Sequence, residues 1–124
     1  MKNWILVFLG GGLGSLCRYL LGRGMVLLLG KSWFPTGTFL ANILGCFLIG
    51  VILSALEKYD WLDGRWGLIL ATGFCGGFTT FSSFAYENNL LLQEMAYGSM
   101  LTYTMASLVL GLLATALGIY LFRL

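Results

Sequence analysis

Gly73-Phe74-Cys75-Gly76-Gly77-Phe78-Thr79-Thr80-Phe81-Ser82-Ser83-Phe84 lies inside an apolar run from Gly67 to Leu90, and its reading decides the fold. A Gly pair followed by two Thr and two Ser is poor helix material, since each Gly costs about 1 kcal/mol against Ala in a helix interior. The run is therefore expected to be a membrane helix broken near its middle. Backbone bared by a break is tolerated in a bilayer only when it is buried in protein or lines a polar cavity. Freed carbonyls there, those of Gly76 and Thr79 first, can bind a small cation such as Na⁺, and the two half-helix ends add dipoles of either sign. The plainer reading is a kink filled by Thr and Ser hydroxyls bonded to their own helix. Past the break, Phe81 and Phe84 stand three residues apart and emerge on one helix face. They are either packing residues or, beside Thr80 and Ser83, rings whose positive edges meet an anion.

Working outward, the rest of the chain has the same character. Of 124 residues, 59% are hydrophobic and 18 are Gly, with 7 Lys or Arg and 5 Asp or Glu, whereas a soluble domain carries roughly 25% charge. Four stretches reach bilayer length: Trp4 to Gly22, Gly37 to Leu56, Gly67 to Leu90 and Gly98 to Phe122. Each span needs about 20 residues, so residues 1–124 form a single all-α transmembrane domain with no room for a soluble catalytic unit. The first run is too long for a cleaved signal peptide and three more follow it. There is no His, and Cys17, Cys46 and Cys75 stand singly in apolar surroundings, which argues against zinc and redox chemistry. A net charge of +2 is too small for a nucleic-acid partner, and no set of residues suggests an enzyme.

Polar groups at bilayer depth are expensive and so are candidates for function. Asn42 either ties two helices together or points N–H donors at a passing anion. In the fourth span Tyr103, Ser107 and Gly111 recur every four residues and share a face, a polar stripe on which the two hydroxyls form a one-ion-wide track. Thr104 and Thr115 lie on other faces and are expected to bond back to their own helix. Arg18, the one cation in the first span, either anchors the fold by snorkelling or draws anions into a vestibule. Glu87, near the end of the third span, suits a helix-end ion pair. Gly10 with Gly14, Gly73 with Gly77, and Gly111 with Gly118 permit close helix contact, although Gly10 to Gly12 also read as a loosened turn.

In the loops, Thr36 is a candidate cap for the second span, and Trp4, Trp33, Trp61 and Trp66 suit the headgroup belt. Lys2, Lys58, Arg65 and Arg123 would share one side of the membrane, and Arg18, Arg23 and Lys31 the other. That balance barely selects an orientation, so the chain is expected to insert both ways and pair antiparallel. The two breaks then face each other near the two-fold axis.

The strings Gly10-Gly11-x-x-Gly14-x-x-x-Arg18-Tyr19, Gly37-Thr38-x-x-x-Asn42-x-x-Gly45 and Gly76-Gly77-x-Thr79-Thr80-Phe81-Ser82-Ser83-Phe84 resemble the small bacterial fluoride channel (Fluc) family across all four spans. The resemblance implies an antiparallel, dual-topology homodimer in the bacterial cytoplasmic (inner) membrane. It implies passive, selective fluoride export through two pathways around a structural Na⁺. It assigns Gly76 and Thr79 to the Na⁺, Phe81 and Phe84 to the ring pair, Asn42, Ser83, Tyr103 and Ser107 to the polar track, and Arg18 to the vestibule. Where some members have a hydroxyl in the fourth helix, this chain has Gly111. The competing expectation is a small multidrug-type, proton-coupled exporter, whose mark would be a Glu in the first span. That span has no acidic residue.

Overall fold

The computed structural model describes residues 2–31 and 34–123; Trp33, one of the expected belt residues, lies outside them. Among the described residues, four segments are long and apolar enough to cross a bilayer. They are α1 (Asn3–Leu29), α2 (Thr36–Lys58), a composite third span (Gly64–Gln93) and, at the end, α4 (Tyr97–Arg123). The third span comprises a short turn, a π-helical segment (Gly67–Cys75), the turn Gly76–Phe78 and α3 (Phe81–Gln93). At 1.5 Å per residue, helices of 27 residues are about 40 Å long, enough to cross a hydrocarbon core of about 30 Å and enter both interfaces.

Apolar side chains face outward. Only 11–28% of each span is buried, and Phe8, Leu27, Leu28 and Leu112 are widely exposed, as a lipid-facing surface requires. Small residues and a few rings form the interior: Leu6, Ala41, Ala71, Cys75, Phe78, Leu91 and Tyr103. α1 packs along the π segment and the turn after it, α2 packs along α4, and α2 also touches α1 and the π segment. Backbone-to-backbone approach makes this possible. A Cβ on Gly14 would run into the Phe74 carbonyl, and one on Gly118 into the backbone of α2 at Phe47, as expected of small residues at interfaces in lipid. Gly10 is buried in an unbroken helix, so the loosened-turn reading of Gly10 to Gly12 is wrong.

Three boundaries depart from the sequence reading. α1 runs through Gly22 and stops at Gly30, where φ is 70° and the N–H bonds back to the Val26 carbonyl at 2.9 Å. Gly ends a helix cheaply when it adopts positive φ, and Gly22 does not. Thr36 is the first residue of α2 rather than its cap; Pro35 takes the cap position and supplies no side-chain bond. Asp63 caps the third span, accepting from the Arg65 amide at 3.0 Å, and the Arg65 guanidinium bonded to it holds its carboxyl below the usual range. Trp4, Trp61 and Trp66 are exposed near helix ends, where belt residues belong.

Candidate functional site

The third span leaves helical geometry at Thr79 (φ −85°, ψ 156°) and Thr80 (φ −151°, ψ 117°). The Gly pair itself stays helical, Gly76 having φ −62° and ψ −37°. β-Branched Thr prefers extended backbone, so the two threonines make the break and the glycines serve its surroundings. A Cβ on Gly77 would strike the Gly11 carbonyl, while one on Gly76 would meet nothing within 4 Å. Gly45 makes room for Thr79, whose methyl lies where a Cβ would go.

Each backbone group at the break can be followed to a partner. The Thr79 amide and hydroxyl both donate to the Cys75 carbonyl, at 3.0 and 2.8 Å, as the kink reading expected of a hydroxyl. Asn42 engages Thr80 from both sides: its Nδ2 donates to the Thr80 carbonyl at 3.1 Å, and the Thr80 amide donates to its Oδ1 at 2.7 Å. The side chain thus pairs with the extended residue as a neighbouring strand would. It does tie helices together, and one of its two N–H donors is left for another acceptor. α3 restarts with the Thr80 hydroxyl as cap, accepting from the Ser83 amide at 3.1 Å. Arg18 Nε donates to the Gly77 carbonyl at 3.2 Å, which anchors α1 to the turn before the break.

These bonds have a consequence for two carbonyls. In a continuous α-helix the Thr80 amide would close on Gly76 and the Ser83 amide on Thr79. Here the first is committed to Asn42 and the second to the Thr80 hydroxyl. The Gly76 and Thr79 oxygens are released by the same exchange that makes the break.

A cleft of about 450 Å³ opens at this point, and Asn42, Gly76, Thr79, Thr80, Phe81, Phe84 and Ser107 are among its lining residues. The Phe81 and Phe84 rings are 5.8 Å apart, and the Phe84 ring is 5.0 Å from that of Tyr103. Tyr103 has 0% exposure, and neither its hydroxyl nor that of Ser107 has a hydrogen-bond partner among the described residues, although both oxygens are buried. Gly111, next on that stripe, packs beside the Cys46 sulfur. Arg18 lines a separate recess of about 420 Å³ with Tyr19, Arg23 and Thr38. Ser83 and Tyr103 also stand outside the cleft lining. The structure therefore gathers seven of the ten expected residues into one cleft, sets Tyr103 beside it through Phe84, and puts Arg18 in a neighbouring hollow.

The expectations for Glu87 and Thr104 fail, and that for Thr115 holds. Glu87 forms no ion pair among the described residues, and its Oε1 is buried without a partner. It lines a third recess that also includes Lys31 and Thr38. Thr115 does bond back to Gly111 at 3.1 Å. Thr104 instead reaches across to Asn88 Oδ1 at 3.3 Å. Sequence reasoning missed Asn88 and the Cys75 carbonyl as parts of this region. The polar Asn88 inside an otherwise helical stretch was the available signal, whereas a main-chain carbonyl leaves none.

Over residues 5–119 the sequence matches the family model described as CrcB-like protein, Camphor Resistance (CrcB). It is 51% identical, over 127 residues, to the fluoride-specific ion channel FluC of Gloeothece citriformis, covering 99% of this chain and 98% of that protein. The chain belongs to the CrcB/FluC fluoride-channel family. A second FluC relative, from Phocaeicola vulgatus, is 47% identical over 97% of this chain and 98% of its own length. One from Caulobacter vibrioides is 41% identical over 99% and 97% respectively. CrcB/FluC proteins are channels and not enzymes, and this member is a multi-pass protein of the bacterial inner membrane.

Proposed function

We propose that the chain is a fluoride-selective channel that exports fluoride passively across the cytoplasmic membrane. The proposal rests on the buried, unpartnered hydroxyls of Tyr103 and Ser107 beside the Phe81 and Phe84 rings. A buried hydroxyl without a partner costs about 1–3 kcal/mol, and a transient anion supplies the missing acceptor. Fluoride relatives at 51% and 47% identity support the choice of anion. An ion leaving water exchanges its shell for the spare Asn42 N–H, hydroxyl donors and ring edges, each weak enough to release it again. A negative-inside potential drives outward flow by about 2.3 kcal/mol per charge per 100 mV, and no pump is needed. Arg18, with two guanidinium nitrogens beyond the Nε that anchors it, attracts anions to the mouth. The cleft lining contains no carboxylate, and a proton-coupled exporter needs one.

The working unit in this reading is an antiparallel pair of dual-topology subunits. Phe81 is 79% exposed beside broken backbone, and a bilayer tolerates such backbone only under protein cover or in a polar cavity. A second copy, inserted the other way, brings an identical break to cover it. The released Gly76 and Thr79 carbonyls are hard oxygen donors without net charge, which suits a monovalent cation such as Na⁺. Bound there, Na⁺ supplies a fixed positive charge that offsets the gathered carbonyl dipoles. Efflux from proteoliposomes tests the function: fluoride is expected to leave far faster than chloride, and equal rates would refute selectivity.

A further inference from the structure

Asn88 and Asn89 are adjacent on α3 and have different surroundings. Both side-chain amides donate to the carbonyl four residues back, Asn88 to Phe84 at 3.1 Å and Asn89 to Ala85 at 3.2 Å. Asn89 is exposed, and among the described residues its amide bonds only within its own helix. Asn88 is half-buried, and its Oδ1 accepts from the Thr104 hydroxyl on α4 at 3.3 Å. A chain of two hydrogen bonds therefore joins the Phe84 carbonyl to Thr104, the residue directly after Tyr103. On the other side the Phe84 and Tyr103 rings meet at 5.0 Å. Ring contact and polar chain together close a loop between the same two helices, at neighbouring residues on each.

Other restraints on α3 lie at its two ends: the far end turns tightly into α4, with the Ala96 amide donating to the Leu91 carbonyl at 2.8 Å, and the near end is held at Thr80. The Asn42 clamp and the Thr80 cap both act on Thr80, four residues before Phe84. Between these ends a roll or bow of the half-helix would carry Phe84 away from Tyr103. We infer that Asn88, held by Thr104, is a positioning residue that fixes the Phe84 ring against Tyr103 and thereby sets anion discrimination. Neither side chain touches the ion; they act through the Phe84 backbone. An intrahelical bond from Thr104 to its own preceding turn was open to the hydroxyl, and the bridge to Asn88 is made instead. The inference rests on the fluoride-pathway reading above.

The test compares Thr104→Val, Thr104→Ser and Asn89→Ala with the wild-type channel in proteoliposomes, recording fluoride and chloride efflux. Thr104→Val keeps the shape and removes the donor, and is expected to lower the fluoride-to-chloride rate ratio by about three- to tenfold, the range of interhelical hydrogen bonds in lipid. Thr104→Ser restores the ratio and Asn89→Ala leaves it unchanged. A wild-type ratio in Thr104→Val, with wild-type fluoride efflux intact, overturns the inference. If the wild-type channel passes no fluoride, the pathway reading fails instead. Thermal unfolding of Thr104→Val, Asn88→Leu and the double variant then decides about the bridge alone: non-additive losses support it, and additive losses overturn it.

Discussion

Asn42 carries two demands in one side chain. Its Oδ1 holds the Thr80 amide and its Nδ2 holds the Thr80 carbonyl, so the break depends on an amide with both a donor and an acceptor. Asp keeps the acceptor, loses the donor and adds a negative charge beside the cleft. Asn42→Asp is expected to reduce fluoride efflux at least about tenfold, the factor that 1.36 kcal/mol of lost donor and added repulsion gives, with the protein still purifying as a membrane-inserted chain. Efflux at the wild-type rate would show that the amide's donor has no part in permeation. The sequence marked Asn42 as significant because a lone amide in an apolar run needs a partner. It left the partner open, because Thr80 lies 38 residues away and only the packing of two spans brings it near.

The third span shows which parts of an element can be read in advance. A break was expected from its composition and is present, but the responsible residues differ. Gly76 and Gly77 keep helical angles, and Thr79 and Thr80 take extended ones. Composition reports helix weakness without reporting which residue yields, and here Asn42 rewards extension at Thr80. The end of α1 was misplaced for a related reason: Gly22 and Gly30 look alike in sequence, and only the chain turning back after α1 selects the second. Packing of α1 on the third span gives the prediction at this level. Gly14→Ala drives a methyl into the Phe74 carbonyl and is expected to cost about 1–3 kcal/mol, read as thermal unfolding in detergent. Gly12 faces no atom within 4 Å, so Gly12→Ala is expected to change stability by less than about 1 kcal/mol. Equal losses from the two substitutions would contradict the close approach of α1 to the third span.

The whole molecule is a bundle whose outer faces are apolar while one polar break stands uncovered. In the proposed channel a second copy covers that break, and the near-even split of basic residues is the ground for expecting it to insert in reverse. Single cysteines placed at the C-terminus and near Lys31, in a background lacking Cys17, Cys46 and Cys75, are expected to cross-link between subunits only in mixed C-terminus-to-Lys31 pairs. Cross-links confined to like positions would establish a parallel pair. If Na⁺ sits between the Gly76 and Thr79 carbonyls of the proposed antiparallel pair, replacing it by a large organic cation is expected to weaken that pair, measured as a larger monomer fraction in dilute membranes; an unchanged fraction would contradict the Na⁺ role.

In the proposed channel an anion passes along ring edges and lone hydroxyls beside the break. Replacing Phe81 and Phe84 by Ile preserves bulk and removes the positive ring edges. Fluoride efflux from liposomes containing Phe81→Ile/Phe84→Ile protein, checked to be folded and paired as the wild type is, measures their part directly. A fall of about a hundredfold or more is expected if each ring supplies an edge contact near the 1.4 kcal/mol that makes a factor of ten. Fluoride efflux at the wild-type rate from the doubly substituted protein would contradict it.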